Sequence, residues 1–330
     1  MAEKLSARER LSKLFDPETF IEIGGDVTGR CVDFGMEKKR PAGDGVITGY
    51  GLVDGREVFA YAQDFKVLGG SLGEMHARKI HRIQDLAGQS RRPLVGLNDS
   101  GGVRIQEGVD SLGGYGEIFY RNVYWSGVIP QISLVFGPCA GGAVYSPALT
   151  DFVGMVAKQS YMFLTGPKVV KTVLFEEVDT ETLGGGRIHA TKSGVAHFLW
   201  KTDEQALDGA RQLLGYLPTS CDEDPPFLET DDDVRRPCSE LASIVPEDPK
   251  GTFDTRDVIG SVVDEGTFLE IHSRYARNLD VGFARLGGHV VGIVANNSRF
   301  LAGVLDCDAS RKGARFVRTC NAYNIPILTF

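Results

Sequence analysis

Most of the features that announce a function are missing from this sequence. None of its six cysteines (31, 139, 221, 238, 307 and 320) falls in a Cys-x-x-Cys or other paired spacing. That argues against a disulfide framework or a cysteine zinc site and reads as reduced thiols in a cytosol-like compartment. The six histidines (76, 81, 189, 197, 272 and 289) are scattered, without His-Glu-x-x-His, so no metal site is expected. No apolar run reaches membrane-spanning length, and residues 1–8 lack the apolar centre of a signal peptide. The chain is therefore expected to make no membrane contact of its own and to be cytoplasmic; in a eukaryote the mitochondrial matrix fits, although no transit peptide is visible. Positive charge is in deficit: the net charge of −8 argues against nucleic acid as a partner.

Glycine, by contrast, is abundant, at 41 of 330 residues, against roughly 7% in average usage. Much of it comes in pairs. The stretch 127–149 is the centre of the pattern. Ile129 to Phe136 is a nearly unbroken apolar run that opens with a Pro and closes on Gly137-Pro138, as a buried parallel strand would. Cys139-Ala140-Gly141-Gly142-Ala143 follows, five small residues ahead of a helix-like segment. Side chains this small leave the N–H groups of a turn uncovered for an anion or a developing oxyanion. The plainer alternative is close helix–strand packing.

Around that stretch, residues 3–14 read as a short charged helix and 45–62 as a β-hairpin with Asp54-Gly55 at its turn. Gly69-Gly70-Ser71-Leu72-Gly73 leads into a helix to about Leu86. Residues 92–97 read as a short buried strand running into Asn98-Asp99-Ser100-Gly101-Gly102, and a helix is expected around 112–126. Two successive strands thus end in Gly-Gly turns, and ligands collect outside the carboxyl ends of parallel strands. Further on, 169–173 reads as helical, 183–189 as a flexible basic loop, 204–217 as a helix, and the Pro/Asp/Glu-rich residues 219–250 as an interdomain linker.

After the linker the sequence restarts. An offset of 233 sets Gly288 on Gly55, Val291 on Val58, Ala295 on Ala62, Leu305 on Leu72, Lys312 on Lys79 and Pro326 on Pro93 without a gap. This is the pattern of a domain duplication. Phe330 falls on Leu97, so the second copy stops before its Gly-Gly turn, and the chain is expected to be a fragment of a longer protein.

The combination of Leu5 to Arg10, Gln63-Asp64-Phe65 with Gly69-Gly70-Ser71, Asp99 to Gly108, Ser111-Leu112-Gly113-Gly114-Tyr115, Gly137 to Asp151, Thr165-Gly166-Pro167, Val281 to Arg285 and Asn324-Ile325-Pro326 resembles the carboxyltransferase subunits of biotin-dependent enzymes acting on acyl-CoA. The nearest are the β subunit of propionyl-CoA carboxylase and the corresponding subunits of methylmalonyl-CoA decarboxylase and transcarboxylase. The resemblance implies an α/β, crotonase-like fold in two duplicated halves, the second incomplete. Residues 1–240 would form the N-terminal, acyl-CoA half and 241–330 the start of the C-terminal, biotin half.

It further implies transfer of CO₂ between carboxybiotin and the α-carbon of a short acyl-CoA, most simply propionyl-CoA. Gly142 and Ala143, beside Gly141, would donate to the thioester oxygen. Gly101, Gly102, Arg104, Lys168 and Lys171 are the acyl-CoA-binding candidates, the three cations for its phosphates. Biotin would be carried on a separate subunit, with its donors beyond Phe330. A hexamer built as a trimer of dimers, working with a biotin carboxylase or carrier subunit, is implied as well. The fragment alone is expected to be inactive. Val103 and Gly186 depart from the Ala usual at both places.

Such chemistry needs preorganised donors rather than a protein nucleophile, which fits the lack of a metal cluster or triad. Competing possibilities are methylmalonyl-CoA decarboxylation, enoyl-CoA hydration or isomerisation through Glu107 and Asp110, and a serine hydrolase using Ser71, His189 and Asp99. A non-enzymatic scaffold is the third class. Lys79 and Lys312, aligned across the repeat, are expected to be structural in both copies.

Overall fold

Ser6 opens the framework. Its Oγ accepts from the Glu9 N–H while the Glu9 carboxylate accepts from the Ser6 N–H, a capping box that starts α1 (Ala7–Leu14). The computed structural model of the protein describes residues 4–248 and 251–330, so the expected helix start at residue 3 lies outside the described residues. The chain forms two units, one of residues up to 189 with 199–211, the other of 190–198 with 212–330.

The first unit is built on an eight-stranded sheet. Its path runs β1 (Ile21–Glu22), β2 (Val46–Val53), β3 (Arg56–Gln63), β4 (Leu94–Ser100), β5 (Gln131–Ala140) and β6 (Phe152–Val156). β7 (Tyr161–Phe163) pairs with the far end of β5, and β8 (Phe198–Trp200) follows β6 in the sheet. Asp54 and Gly55 both have positive φ, the conformation that a two-residue turn between β2 and β3 demands. From β3 to β6 the pairing is parallel. Parallel neighbours need crossovers, here α2 (Glu74–Gln89) and α3 (Gly108–Tyr124). α3 starts four residues before the expected 112, at the positive-φ Gly108.

Beyond β5 come α4 (Tyr145–Leu149), α5 (Pro167–Leu174), α6 (Thr180–Gly184), the single turn α7 (Gly186–Ile188) and α8 (Asp203–Leu214). The expected flexible loop at 183–189 is therefore helical. Its glycines serve packing: a Cβ on Gly184 would stand 2.1 Å from the Met162 carbonyl oxygen and one on Gly186 2.7 Å from Leu199.

The second unit carries α9 (Leu241–Ile244), α10 (Thr255–Val262) and a sheet in the order β12-β11-β10-β9, from β9 (Leu269–Ile271), β10 (Leu279–Leu286), β11 (His289–Asn296) and β12 (Ile327–Thr329), with α11 (Cys307–Ala322) between the last two. The repeat holds to the residue: Leu279 faces Asn296 as Val46 faces Gln63, and Gly292 faces Ile327 as Phe59 faces Leu94. Ile259, Val263, Ala284 and Ile293 sit in its core.

The acidic segment read as a linker belongs to this unit instead. Leu228 N–H donates to the Gly288 carbonyl, Pro226 O accepts from Arg285, and Arg236 donates to the carbonyls of Ser261 and Val263. The second compact unit takes in residues 190–198 as well as 212–330.

Candidate functional site

Three glycine turns meet at the carboxyl ends of the parallel strands. Gly101 N–H donates to Gly69 O at 2.9 Å, Leu72 N–H to Gly102 O at 2.9 Å and Arg104 N–H to Leu72 O at 3.0 Å. Bare backbone is needed for this interlock. A Cβ on Gly70 would lie 2.1 Å from Asp99 O, and one on Gly102, at φ +104°, would lie 2.7 Å from Ala140 O. Leu72 and Val103 join in a short parallel bridge.

The first turn differs from expectation in its donors. Gly101 N–H is engaged by Gly69 O, and Gly102 N–H by Ser100 Oγ at 3.1 Å. Both amides thus answer to the protein's own acceptors, and the turn acts as a frame.

The second turn is different. The β4–β5 register shifts between Asn98 and Ser100, where Gly137 gives way to the Asp99 carboxylate: a Cβ there would fall 2.1 Å from Asp99 Oδ1. The shift carries β5 forward into a 3-10 turn, Gly141–Val144. In such a turn the leading N–H groups, here those of Gly141 and Gly142, precede the first i→i+3 bond. Gly141 has φ +60°, and nothing stands within 4 Å of where its Cβ would be. Ala143 follows, buried, and its carbonyl accepts from the Cys139 thiol at 3.1 Å. Burial pushes the Cys139 thiol up, out of the thiolate range, so it is no nucleophile at this turn.

Side chains near the turns are engaged elsewhere. Arg104, expected as a surface or phosphate-binding cation, is buried: its Nη1 pairs with Asp44 at 2.7 Å and Glu107 at 2.8 Å, and its Nη2 donates to Ser71 O at 2.9 Å. Glu107 also accepts the Glu74 N–H that opens α2, and Asp110 is exposed in the first turn of α3. Neither carboxylate is presented as an enoyl acid/base. Asp99 is ion-paired with Lys4 at 2.8 Å and Arg10 at 3.0 Å, not with a histidine. Arg10 in turn binds Asp203 at 3.0 Å and lies over the Phe136 ring. Ser71 Oγ donates to Leu68 O and His189 Nε2 sits 2.8 Å from Met162 O, so these residues form no hydrolase relay.

Lys168 and Lys171 are exposed on α5, where Lys171 pairs with Glu177. Lys79 and Lys312 are buried, donating to the carbonyls of Gly43 and Val46 in one copy and of His272, Tyr275 and Ala276 in the other. Both play the structural role expected of them. Among the described residues no helix is long and apolar enough to cross a membrane, and no cluster of three His, Cys, Asp or Glu side chains could hold a metal ion.

Against known proteins, residues 2–330 match the carboxyl transferase domain family. The chain is 56% identical over 327 residues to the propionyl-CoA carboxylase carboxyltransferase subunit of Haloferax mediterranei, covering 99% of this chain and 63% of that one. It is 54% identical to the methylmalonyl-CoA decarboxylase α subunit of Veillonella parvula, covering 64% of it. Among solved structures it superposes with a TM-score of 0.96 and 47% identity on transcarboxylase 12S, a hexamer with hydrolysed methylmalonyl-CoA bound, covering 64% of that chain. The chain therefore spans a little under two thirds of the length of these relatives.

Proposed function

Given that the chain belongs to the carboxyl transferase domain family, we propose that it provides the acyl-CoA side of a biotin-dependent carboxyltransferase. The reaction moves CO₂ between carboxybiotin and the α-carbon of a short acyl-CoA, propionyl-CoA/methylmalonyl-CoA in the first place. One observation carries this: the turn at the end of β5 leaves the Gly141 and Gly142 N–H groups ahead of its first bond, with open space beside Gly141, while the neighbouring Glu107, the Cys139 thiol and the Arg104 guanidinium are engaged within the protein.

Bond making at the α-carbon passes through an enolate with its charge on the thioester oxygen. The amides of Gly141 and Gly142, which precede the first bond of the turn, hold that oxygen, and Ala143 closes the turn behind them. They cost no reorganisation when the charge develops, and removing one such donor typically costs about 2.7–4 kcal/mol. Carboxybiotin, presented by a separate subunit, supplies the carbon. Gly101 and Gly102 shape the floor of the acyl-CoA site, Arg104 fixes the loop that follows them, and Lys168 and Lys171 on α5 meet the CoA phosphates. Residues 1–240 serve the acyl-CoA half and 241–330 begin the biotin half. The working assembly is a cytoplasmic or matrix hexamer with a biotin carboxylase or carrier partner. The Veillonella relative favours a second direction, decarboxylation of methylmalonyl-CoA, on the same turn.

The complete assembly, assayed with its biotinylated partner against acetyl-, propionyl- and butyryl-CoA, tests this. Carboxyl transfer fastest with propionyl-CoA is expected, and Gly142→Ala, which forces the turn off its seat, lowers kcat by about 100-fold. Absence of transfer to any acyl-CoA, or hydration of an enoyl-CoA without biotin, overturns the assignment.

A further inference from the structure

Tyr115 stands between the two glycine turns, on the buried side of α3 and 4% exposed. Its ring occupies the place where a Cβ of Gly142 would be: Cδ2, Cε2 and Cγ lie 2.9, 3.2 and 3.3 Å from that point. Phe119 stacks on the ring at 5.9 Å between centroids, and Tyr145 leans on Phe119 at 5.5 Å. Aromatic packing thus holds the ring in place. At its other end, the hydroxyl lies 3.5 Å from Ser100 Oγ, the atom that accepts the Gly102 N–H. Burial pushes the phenol well above its ordinary range, so at neutral pH it is a neutral hydrogen-bonding group and not a base.

We propose that Tyr115 is a positioning residue for the oxyanion donors: its ring is the seat on which Gly142 rests, and its hydroxyl ties that seat to the Ser100–Gly102 turn. The inference rests on the carboxyltransferase assignment and gives glycine at 142 a second reason. Any side chain there would lift the amide off the ring, and a residue at 115 without a flat ring would leave the amide unsupported. Displacing a catalytic donor by about 1 Å costs on the order of 100-fold in rate.

The complete assembly carrying Tyr115→Ala, Tyr115→Leu or Tyr115→Phe tests it with two readouts. In the first, Tyr115→Ala lowers kcat by about 100-fold with KM for acyl-CoA within about twofold. Tyr115→Phe, which keeps the ring, stays within about threefold. Should the Ala variant fail to assemble, Tyr115→Leu carries the same expectation, since Leu keeps apolar bulk without the flat seat.

The second readout is the infrared carbonyl band of a ¹³C-labelled propionyl-CoA bound without any biotin partner. The band is shifted from its solution position by wild type and Tyr115→Phe, and returns to that position in Tyr115→Ala or Tyr115→Leu. A shifted band and full kcat in the truncated variants overturn the proposal for Tyr115. An equal loss in Tyr115→Phe overturns the claim for its ring. An unshifted band together with no transfer in wild type overturns the carboxyltransferase assignment instead.

Discussion

The two units are built on one frame. Asp16 takes the turn amides of Asp54 and Gly55, at 3.1 and 2.9 Å, and Asp264 takes those of Gly287 and Gly288, at 2.8 and 2.7 Å. Gly49 and Gly282 each leave room for a neighbouring strand: an added Cβ would come within 2.2 Å of Ile21 O or 2.4 Å of Leu269 O. The differences lie in what surrounds the frame. Between β1 and β2 the first unit inserts residues 23–45, against 272–278 at the matching place. That insert brings Asp44 to Arg104, which holds the loop after the Gly101–Gly102 turn. Hairpin, helix and buried lysine are generic supports. The Asp44–Arg104 clamp is what the insert adds to that frame.

The sharpest test sets the interlocked turns against the shared hairpin frame, Gly70→Ala beside Gly55→Ala. Both glycines have positive φ, but a Cβ at Gly70 would strike Asp99 O, whereas at Gly55 nothing stands within 4 Å. The second substitution costs only the left-handed conformation, about 1–2 kcal/mol, and the first adds a backbone clash, for a total of about 4 kcal/mol or more. Denaturant unfolding measures both, and equal losses would break the contrast.

A smaller effect, alike in the two units, is expected for Lys79→Met and Lys312→Met. Each strands buried carbonyls, at about 1–3 kcal/mol. A loss in one unit only would mean that the shared frame is not equally supported.

A further effect, absent at pH 7, is a pH dependence in the second unit. Burial, helped by the nearby Lys312 ammonium, pulls the His272 imidazole down to about 3. Its folded value lies below its unfolded one, so the unfolded chain binds more protons. Stability is full above about 6.5 and falls as pH drops towards 3, by at most about 1.4 kcal/mol per pH unit for one proton. His272 has φ +55° and its ring packs on His197. Asn tolerates that backbone, so His272→Asn should flatten the difference in unfolding free energy between pH 7 and pH 4.5.

Much of the frame was legible because it is local or repeated. Asp54-Gly55 demands its turn, the 129–136 run demands burial, and the 233-residue offset fixed the second hairpin's register before any coordinates. The crotonase-like α/β class came with the family resemblance, and the family match and structural neighbour agree with it. What escaped depends on partners distant in sequence. Arg104 resembles a surface cation until Asp44, sixty residues earlier, closes on it. Gly184 to Gly186 look flexible until the Met162 carbonyl and Leu199 side chain fill the space that Cβ atoms would need. The acidic stretch after 219 looks solvated, yet its carbonyls and arginine hold the second unit's hairpin and helix end. At the site, the Gly141–Ala143 turn could be located but not its support, because nothing in the spacing of Tyr115 says that its ring lies under Gly142.

The Arg10 guanidinium holds Asp99 and Asp203, carboxylates from the middle and the end of the first unit. A ribosome must therefore release some two hundred residues before this lock can shut. Lys4 and Arg10 can meet Asp99 as soon as its strand is made, but the Arg10 guanidinium lacks its second carboxylate until Asp203 follows, and an incompletely paired charge in a core is disfavoured. Late closure of so long a loop makes for slow, chaperone-exposed folding, and α1, made well before Asp203, is among the last pieces to be fastened.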